Sequence, residues 1–241
     1  MGRIRDELER ALKRILALPP PGVGRPGRAE IMDVAFEFAA RSLLEGSYLE
    51  FGCFDGTSFV RAHTAYRRWS RFAKERGLPL RYQRMFAFDS FQGLPDLTPE
   101  DRLEGYDAVQ AGLFRCEQAV FRENLRAAGI DLAGLVVVPG PYAETLREDA
   151  KERLAIPPAA VVHVDCDLYS SATLALEFVT DLVQDGTLLL FDDYFLFRGN
   201  PGHGVRRALE EWLGRTGFGA TDYTSFGWAG KAFIVHPGGR S

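Results

Sequence analysis

The sequence predicts a doubly wound α/β fold on a mostly parallel sheet of seven strands. Three observations predict it. From residue 47 onward, short apolar runs alternate with stretches of helical periodicity, the order expected of consecutive βα units. Runs such as Val-Val-His-Val-Asp (161–165) and Thr-Leu-Leu-Leu-Phe-Asp-Asp (187–193) are almost continuously apolar, as strands covered on both faces must be. The segment 218–237 reads as two strands joined by a turn, which closes the alternation with a hairpin.

The elements follow in order. Ile4, Leu8, Leu12 and Ile15 recur on one helical face. Residues 16–27 then carry four prolines and three glycines, and no regular element survives that density. A second helical stretch (29–44) leads to the first strand (47–54) and a helix (57–76). A second strand (85–91) is followed by a loop rich in Asp, Pro and Gly (93–107) and a helix (116–128). Strands at 135–140, 159–169 and 186–195 precede helices at 144–154, 172–183 and 204–214. The chain reads as one domain, 46–241, preceded by an N-terminal helical extension or cover, 1–45.

Composition narrows the function classes. Of 241 residues, 46% are apolar and 26% charged, which fits a soluble globular chain rather than a disordered or fibrous one. A net charge of -4 and a pI of about 5.7 give no global reason to expect nucleic acid or an anionic membrane as partner. Cys53, Cys116 and Cys166 lie far apart without a Cys-x-x-Cys pair. That argues against a zinc site or a disulfide framework and fits a reducing cytoplasm. No apolar run reaches the ~18 residues of a membrane span, and the first residues lack a signal-peptide core. The apolar face of the N-terminal helix suggests a homodimer contact.

In an open parallel sheet, ligands bind at the carboxyl ends of the strands. Those ends carry Glu50-Phe51-Gly52, Asp89-Ser90-Phe91, Gly140-Pro141-Tyr142, Asp165-Cys166-Asp167 and Asp192-Asp193. Gly52 and Gly56 let the first turn approach a ligand closely. Neither a Gly-x-Gly-x-x-Gly nor a phosphate loop with Lys-Ser/Thr is present. An acid ending the second strand, Asp89, suits vicinal ribose hydroxyls. A ribose without a pyrophosphate points to S-adenosylmethionine; the same residues would also serve a tight turn and a capped loop. Asp192 and Asp193 follow Asp165 by 27 residues, and a βαβ unit sets those ends side by side. Three converging carboxylates repel unless a cation lies between them, and an all-oxygen set favours Mg²⁺ over zinc.

These segments resemble a known family. His-Val-Asp-Cys-Asp-Leu-Tyr (163–169), Phe-Asp-Asp-Tyr (191–194) with the Gly-x-x-Arg-Ala helix that follows, Phe-Asp-Ser-Phe-Gln-Gly-Leu-Pro (88–95) and Tyr-Leu-Glu-Phe-Gly-Cys-Phe-Asp-Gly-Thr-Ser (48–58) are similar to segments of the macrocin O-methyltransferases. The resemblance implies a Rossmann-like class I methyltransferase that moves a methyl group from S-adenosylmethionine to a hydroxyl of a natural product, using Mg²⁺. It implies metal ligation by Asp165, Asp192 and Asp193, and a general base at Asp167. Glu50 and Gly52 would meet the methionine end of the cofactor and Asp89 the ribose. Ser90 and Phe91 would lie on the adenine side, with Ser58, Gly140, Tyr142 and Asp165 completing the cofactor set. Gln92 stands where the family has Glu, and 198–203 lengthens the loop after Asp-Asp-Tyr, so the acceptor is the variable part.

The expected reaction is methylation of a sugar hydroxyl in a small-molecule acceptor. A metal-bound hydroxyl is acidified and aimed, so that Asp167, a weak base at its ordinary pKa of ~3.9, suffices. His203, in the loop after the metal pair, is the second candidate base. His163 reads as a core histidine, and the basic run Arg61 to Arg76 as a solvated face or an anion-docking surface. Two alternatives stay open. A catechol- or phenol-type O-methyltransferase often has Lys three residues after the first metal Asp, where this chain has Leu168. The other is a non-catalytic S-adenosylmethionine-binding partner protein.

Overall fold

A computed structural model describes residues 25–78 and 82–238. The expected helix through Ile4, Leu8, Leu12 and Ile15 lies outside them. Helix α1 (Ile31–Arg41) leads into strand β1 (Gly46–Phe51) and helix α2 (Thr57–Glu75). Then come β2 (Tyr82–Asp89), α3 (Gln118–Ala127), β3 (Leu135–Pro139), α4 (Tyr142–Thr145) and α5 (Glu148–Leu154). The chain continues through β4 (Ala159–Val164), α6 (Tyr169–Val179), β5 (Val183–Phe191), α7 (Gly204–Thr216), β6 (Gly219–Phe226) and β7 (Gly230–His236).

The strands form one sheet in the order β3-β2-β1-β4-β5-β7-β6, with β7 antiparallel to both neighbours. The seven-stranded, mostly parallel sheet expected from the sequence is therefore the one observed. The order reverses between β1 and β4, which opens a crevice at their carboxyl ends. Alternate residues feed two cores. Tyr48, Met85, Ala87, Val161, Leu188 and Leu190 face α1, α2 and α3, while Leu49, Phe86, Phe88, Val162 and Leu189 face α6 and α7. Each buried Val, Leu, Met or Phe among them contributes roughly 1.5–3 kcal/mol. Helix α1 belongs to the same core, because Ile31, Ala35 and Ala39, with Met32, Phe36 and Ala40, recur on one buried face.

Element ends differ from the expectation where long-range contacts intervene. Strand β4 stops at Val164 rather than running to 169. Its last ladder bond, Asp165 N–H to the Phe51 carbonyl (2.8 Å), is followed by a turn through Asp167 at φ 58°. Helix α6 starts at Tyr169, not at 172, because the Asp101 carboxylate caps it from a remote loop, accepting the Tyr169 N–H at 2.5 Å and the Ser170 hydroxyl at 2.9 Å. The helix expected at 144–154 is broken in two at Leu146, which turns toward the second core.

Candidate active site

A cavity of about 1230 Å³ occupies the carboxyl edge of the sheet. Its first half is built by β1, β2 and the turn between β1 and α2. Gly52 sits at φ 89°, and a Cβ there would stand 1.8 Å from the Asp165 carbonyl oxygen, so only glycine lets these strand ends converge. Asp89 shapes the turn. One of its oxygens accepts the N–H groups of Cys53 (2.6 Å) and Phe54 (2.9 Å), and the other accepts that of Phe91 (2.6 Å). The carboxylate thus fixes two loops and still presents lone pairs to the cavity it lines. Tyr142 closes the far side, its hydroxyl donating to the Phe88 carbonyl at 3.3 Å and its ring edge-on to Phe51. Burial pushes the Tyr142 phenol well above its usual pKa.

The second half is acidic. Asp165, Asp192 and Asp193 bring one carboxylate oxygen each within 4.8 Å of one another. Asp192 and Asp193 are buried, and Asp193 Oδ2 has no hydrogen-bond partner. Burial, and then the Asp165 charge, raise the Asp193 pKa to about 7. Asp167 turns into the same wall, and burial, followed by repulsion from Asp193 and Asp165, holds its carboxyl well above the usual range. Its expected position at the end of an extended strand is corrected: the turn, not the strand, aims it. Arg28 reaches the cluster from the segment before α1, its Nε donating to Asp192 Oδ1 at 2.8 Å.

A lid covers this half. Leu94, Leu97, Leu103, Tyr106 and Val109 pack on Leu168, Leu196 and Phe197 as a small separate core. The Asp101 cap and a bond from Arg198 to the Gly105 carbonyl (2.5 Å) fasten it. Trp228, exposed in the turn between β6 and β7, stands at the mouth.

The cavity wall includes Gly52, Ser58, Asp89, Ser90, Tyr142, Asp165, Asp167, Asp192 and Asp193. Four expected residues are not in it. Glu50 is fully buried behind the wall, because β1 alternation turns it toward α2. There its carboxylate accepts the hydroxyls of Ser58 (2.5 Å) and Tyr48, with His163 Nδ1 at 3.8 Å. Phe91 packs against Phe121 in the first core. Gly140 donates its N–H to the Asp89 carbonyl at 2.9 Å, and only its neighbours Pro141 and Tyr142 line the cavity. His203 is drawn away by Phe197, against which its ring stacks, and its Nδ1 lies 3.1 Å from the Glu100 carbonyl oxygen. Cys53 and Cys166 line the wall as thiols whose pKa values burial pushes well up.

Sequence reasoning missed Arg28, Phe54, Phe114, His163 and Trp228 as wall residues. Burial opposes the charge of His163, but Glu50 outweighs it and the imidazole pKa stands above its usual value. One signal for Trp228 was available: β6 pairs antiparallel to β7 and so runs with β5, which puts its turn on the functional edge.

Comparison with known proteins bears on the fold and the family. The chain is 29% identical over 142 residues to 8-demethyl-8-(2,3-dimethoxy-alpha-L-rhamnosyl)-tetracenomycin-C 4'-O-methyltransferase of Streptomyces olivaceus, covering 56% of this chain and 49% of that one. It thus spans about half the length of that relative. The fold superposes on the O-methyltransferase NovP with a TM-score of 0.68 at 21% identity, covering 86% of this chain and 78% of that one. For the calicheamicin methyltransferase CalS11 the TM-score is 0.62 at 23% identity, covering 95% and 91%. For TomG of Streptomyces achromogenes, solved with S-adenosylmethionine, it is 0.53 at 17%, covering 96% and 87%. The sequence pattern of the macrocin-O-methyltransferase (TylF) family runs through residues 23–218, from the segment that carries Arg28 to the start of β6. That match covers most of the chain, and the chain belongs to the macrocin-O-methyltransferase family.

Proposed function

We propose that the chain transfers a methyl group from S-adenosylmethionine to a sugar hydroxyl of a natural product or glycoconjugate, in the cytoplasm, with Mg²⁺ held by Asp165, Asp192 and Asp193. Residues 46–241 form the transferase domain in this reading, and residues 1–45 its helical cover. The observation that carries it is one cavity with two unlike halves: a glycine turn braced by Asp89, and a buried carboxylate cluster beside it. The cluster fits a divalent cation, because it offers oxygen donors alone and Asp193 Oδ2 is desolvated without a partner. The tetracenomycin relative acts, by its name, on a rhamnosyl group, which supports a sugar acceptor.

When bound, S-adenosylmethionine supplies an electrophilic methyl group and Mg²⁺ acidifies and orients the hydroxyl. The chain's own residues do the rest. Gly52 lets the ends of β1 and β4 close up beside the cofactor, and Asp89 accepts from the ribose with lone pairs its backbone partners leave open. Ser58 and Ser90 present further polar atoms to it, and Tyr142 packs over the base. Asp167, in the wall beside Asp193, takes the proton on its carboxylate. The lid excludes water from that step. Leu168 is fully buried under the lid, and no lysine stands at that position to serve a catechol-type site.

Calorimetry with S-adenosylmethionine and with NAD, each with and without Mg²⁺, tests the assignment. Selective binding of S-adenosylmethionine is expected, together with methyl transfer that stops in excess chelator and returns with Mg²⁺. Full activity after confirmed metal removal would overturn the metal part. Binding of NAD alone would overturn the whole.

A further inference from the structure

The acidic cluster already has a cation of its own. Arg28 Nε donates to Asp192 Oδ1 at 2.8 Å, and Nη2 contacts Asp192 Oδ2 and lies 3.7 Å from Asp165 Oδ1. Asp192 is buried whereas the Arg28 side chain is 32% exposed, so the guanidinium reaches in from the mouth of the cavity. The segment behind it is fastened to the β6–β7 turn. The Gly227 N–H donates to the Pro26 carbonyl at 3.1 Å, and the Arg25 guanidinium donates to the Gly227 carbonyl. A Cβ on Gly227, at φ 52°, would stand 2.8 Å from Arg28 Cγ, so the turn leaves a slot for the arginine stem.

This geometry conflicts with a metal on the same carboxylate. Arg28 hydrogen-bonds one oxygen of Asp192 and sets its positive charge against the other. A Mg²⁺ ion needs one of them at about 2.0–2.1 Å, and would there face a guanidinium of like charge. We infer that Arg28 is a tethered rival of the divalent cation, a positioning residue that occupies Asp192 in the metal-free protein and leaves it when the cation binds. The inference rests on the metal reading above. It makes the affinity for metal a difference between two cations, and it ties metal loading to release of the 25–28 segment from the wall.

Titration calorimetry with Mg²⁺ and Mn²⁺ on the wild type, Arg28→Met and Arg28→Lys tests it, with thermal melts and hydrogen exchange alongside. Arg28→Met should bind the cation roughly three- to thirtyfold more tightly, the worth of a partly exposed, charge-assisted pair that no longer has to be broken. Arg28→Lys, a cation without the fork, should fall between. Without metal, Arg28→Met should melt lower than wild type, and it should gain more from added Mg²⁺. In the wild type, saturating metal should speed exchange at the Gly227 amide as its bond to Pro26 opens. A gain of affinity is a result that structural damage does not produce. Equal or weaker binding by Arg28→Met, or Gly227 exchange unchanged by metal, would overturn the inference while leaving the metal site intact. If Arg28→Met does not fold without metal, Arg28→Lys decides: affinity no better than wild type overturns it. Absence of binding in the wild type overturns the metal reading, and the inference with it.

Discussion

The two halves of the cavity are built by different means. On the reading proposed above, the cofactor half consists of strand ends and one glycine turn, fixed by backbone contacts such as those to Asp89. The half proposed for the acceptor adds loops to the ends of β4 and β5, the 93–115 lid and the 25–30 segment, held by side chains that cross the fold: Asp101 on α6, Arg28 on Asp192, Arg198 on Gly105. A site that must bind one cofactor and vary its acceptor gains from that division, because loop sequence can change without disturbing a sheet edge.

Substitutions can break the comparison or sharpen it. The largest effect should come where the halves meet. Asp167→Asn keeps size and shape but removes the carboxylate, so single-turnover methyl transfer should slow by roughly 10²–10⁴-fold. Mg²⁺ affinity and melting temperature should stay near wild type. A fall in Mg²⁺ affinity would make Asp167 a fourth ligand instead, and a normal rate would remove it from the mechanism. In the cofactor half, Asp89→Ala should weaken S-adenosylmethionine by about 1.5–3 kcal/mol, as bonds to a charged group are lost. Unchanged affinity in a titration would contradict the placement of the ribose.

The acidic half carries a pH signature. The folded-state pKa of Asp193, about 7, lies above its unfolded value of about 3.9. The folded protein therefore holds a proton that the unfolded chain has lost. That contribution is complete below about pH 4 and disappears as the pH rises through 7. The melting temperature of the metal-free protein should fall by several degrees between pH 5.5 and 7.5, and less in Asp193→Asn; parallel curves for the two would refute the assignment. The smallest effect belongs to the lid anchor. Asp101→Ala removes the cap on α6 and should cost about 1–2 kcal/mol, or roughly 2–8 °C in a domain of this size. Cofactor affinity should not change, and a loss of S-adenosylmethionine binding would show that the halves are not separable.

How much of this was legible in the sequence follows the same division. The parallel order demands that Asp89, Asp165, Asp192 and Asp193 meet at one edge, and they do. Alternation along β1 was equally available, and it puts Glu50 on the face of Tyr48, against Ser58 of α2, where it is fully buried. His203 was placed by its neighbours in sequence, but the buried Phe197 decides where that loop goes. Arg28 and Asp192 are 164 positions apart, and neither periodicity nor spacing joins them. The early start of α6 has the same origin, since its cap comes from 68 residues away.

That remote cap has a consequence for anyone redesigning the acceptor. Because Asp101 both ends a turn of the lid and satisfies the first N–H of α6, the lid divides into two arms of unequal freedom. Residues 102–112 run between that anchor and the pairing of Leu94 with Leu113 and Gly112, and they can be exchanged as a cassette that keeps apolar side chains where Leu103, Tyr106 and Val109 pack. Grafts that keep Thr98, Asp101 and the Leu94–Leu113 pairing should preserve the helix beneath. Grafts that replace the whole lid must bring a carboxylate to the same spot, or they will loosen the helix behind Asp167 while appearing to alter only specificity.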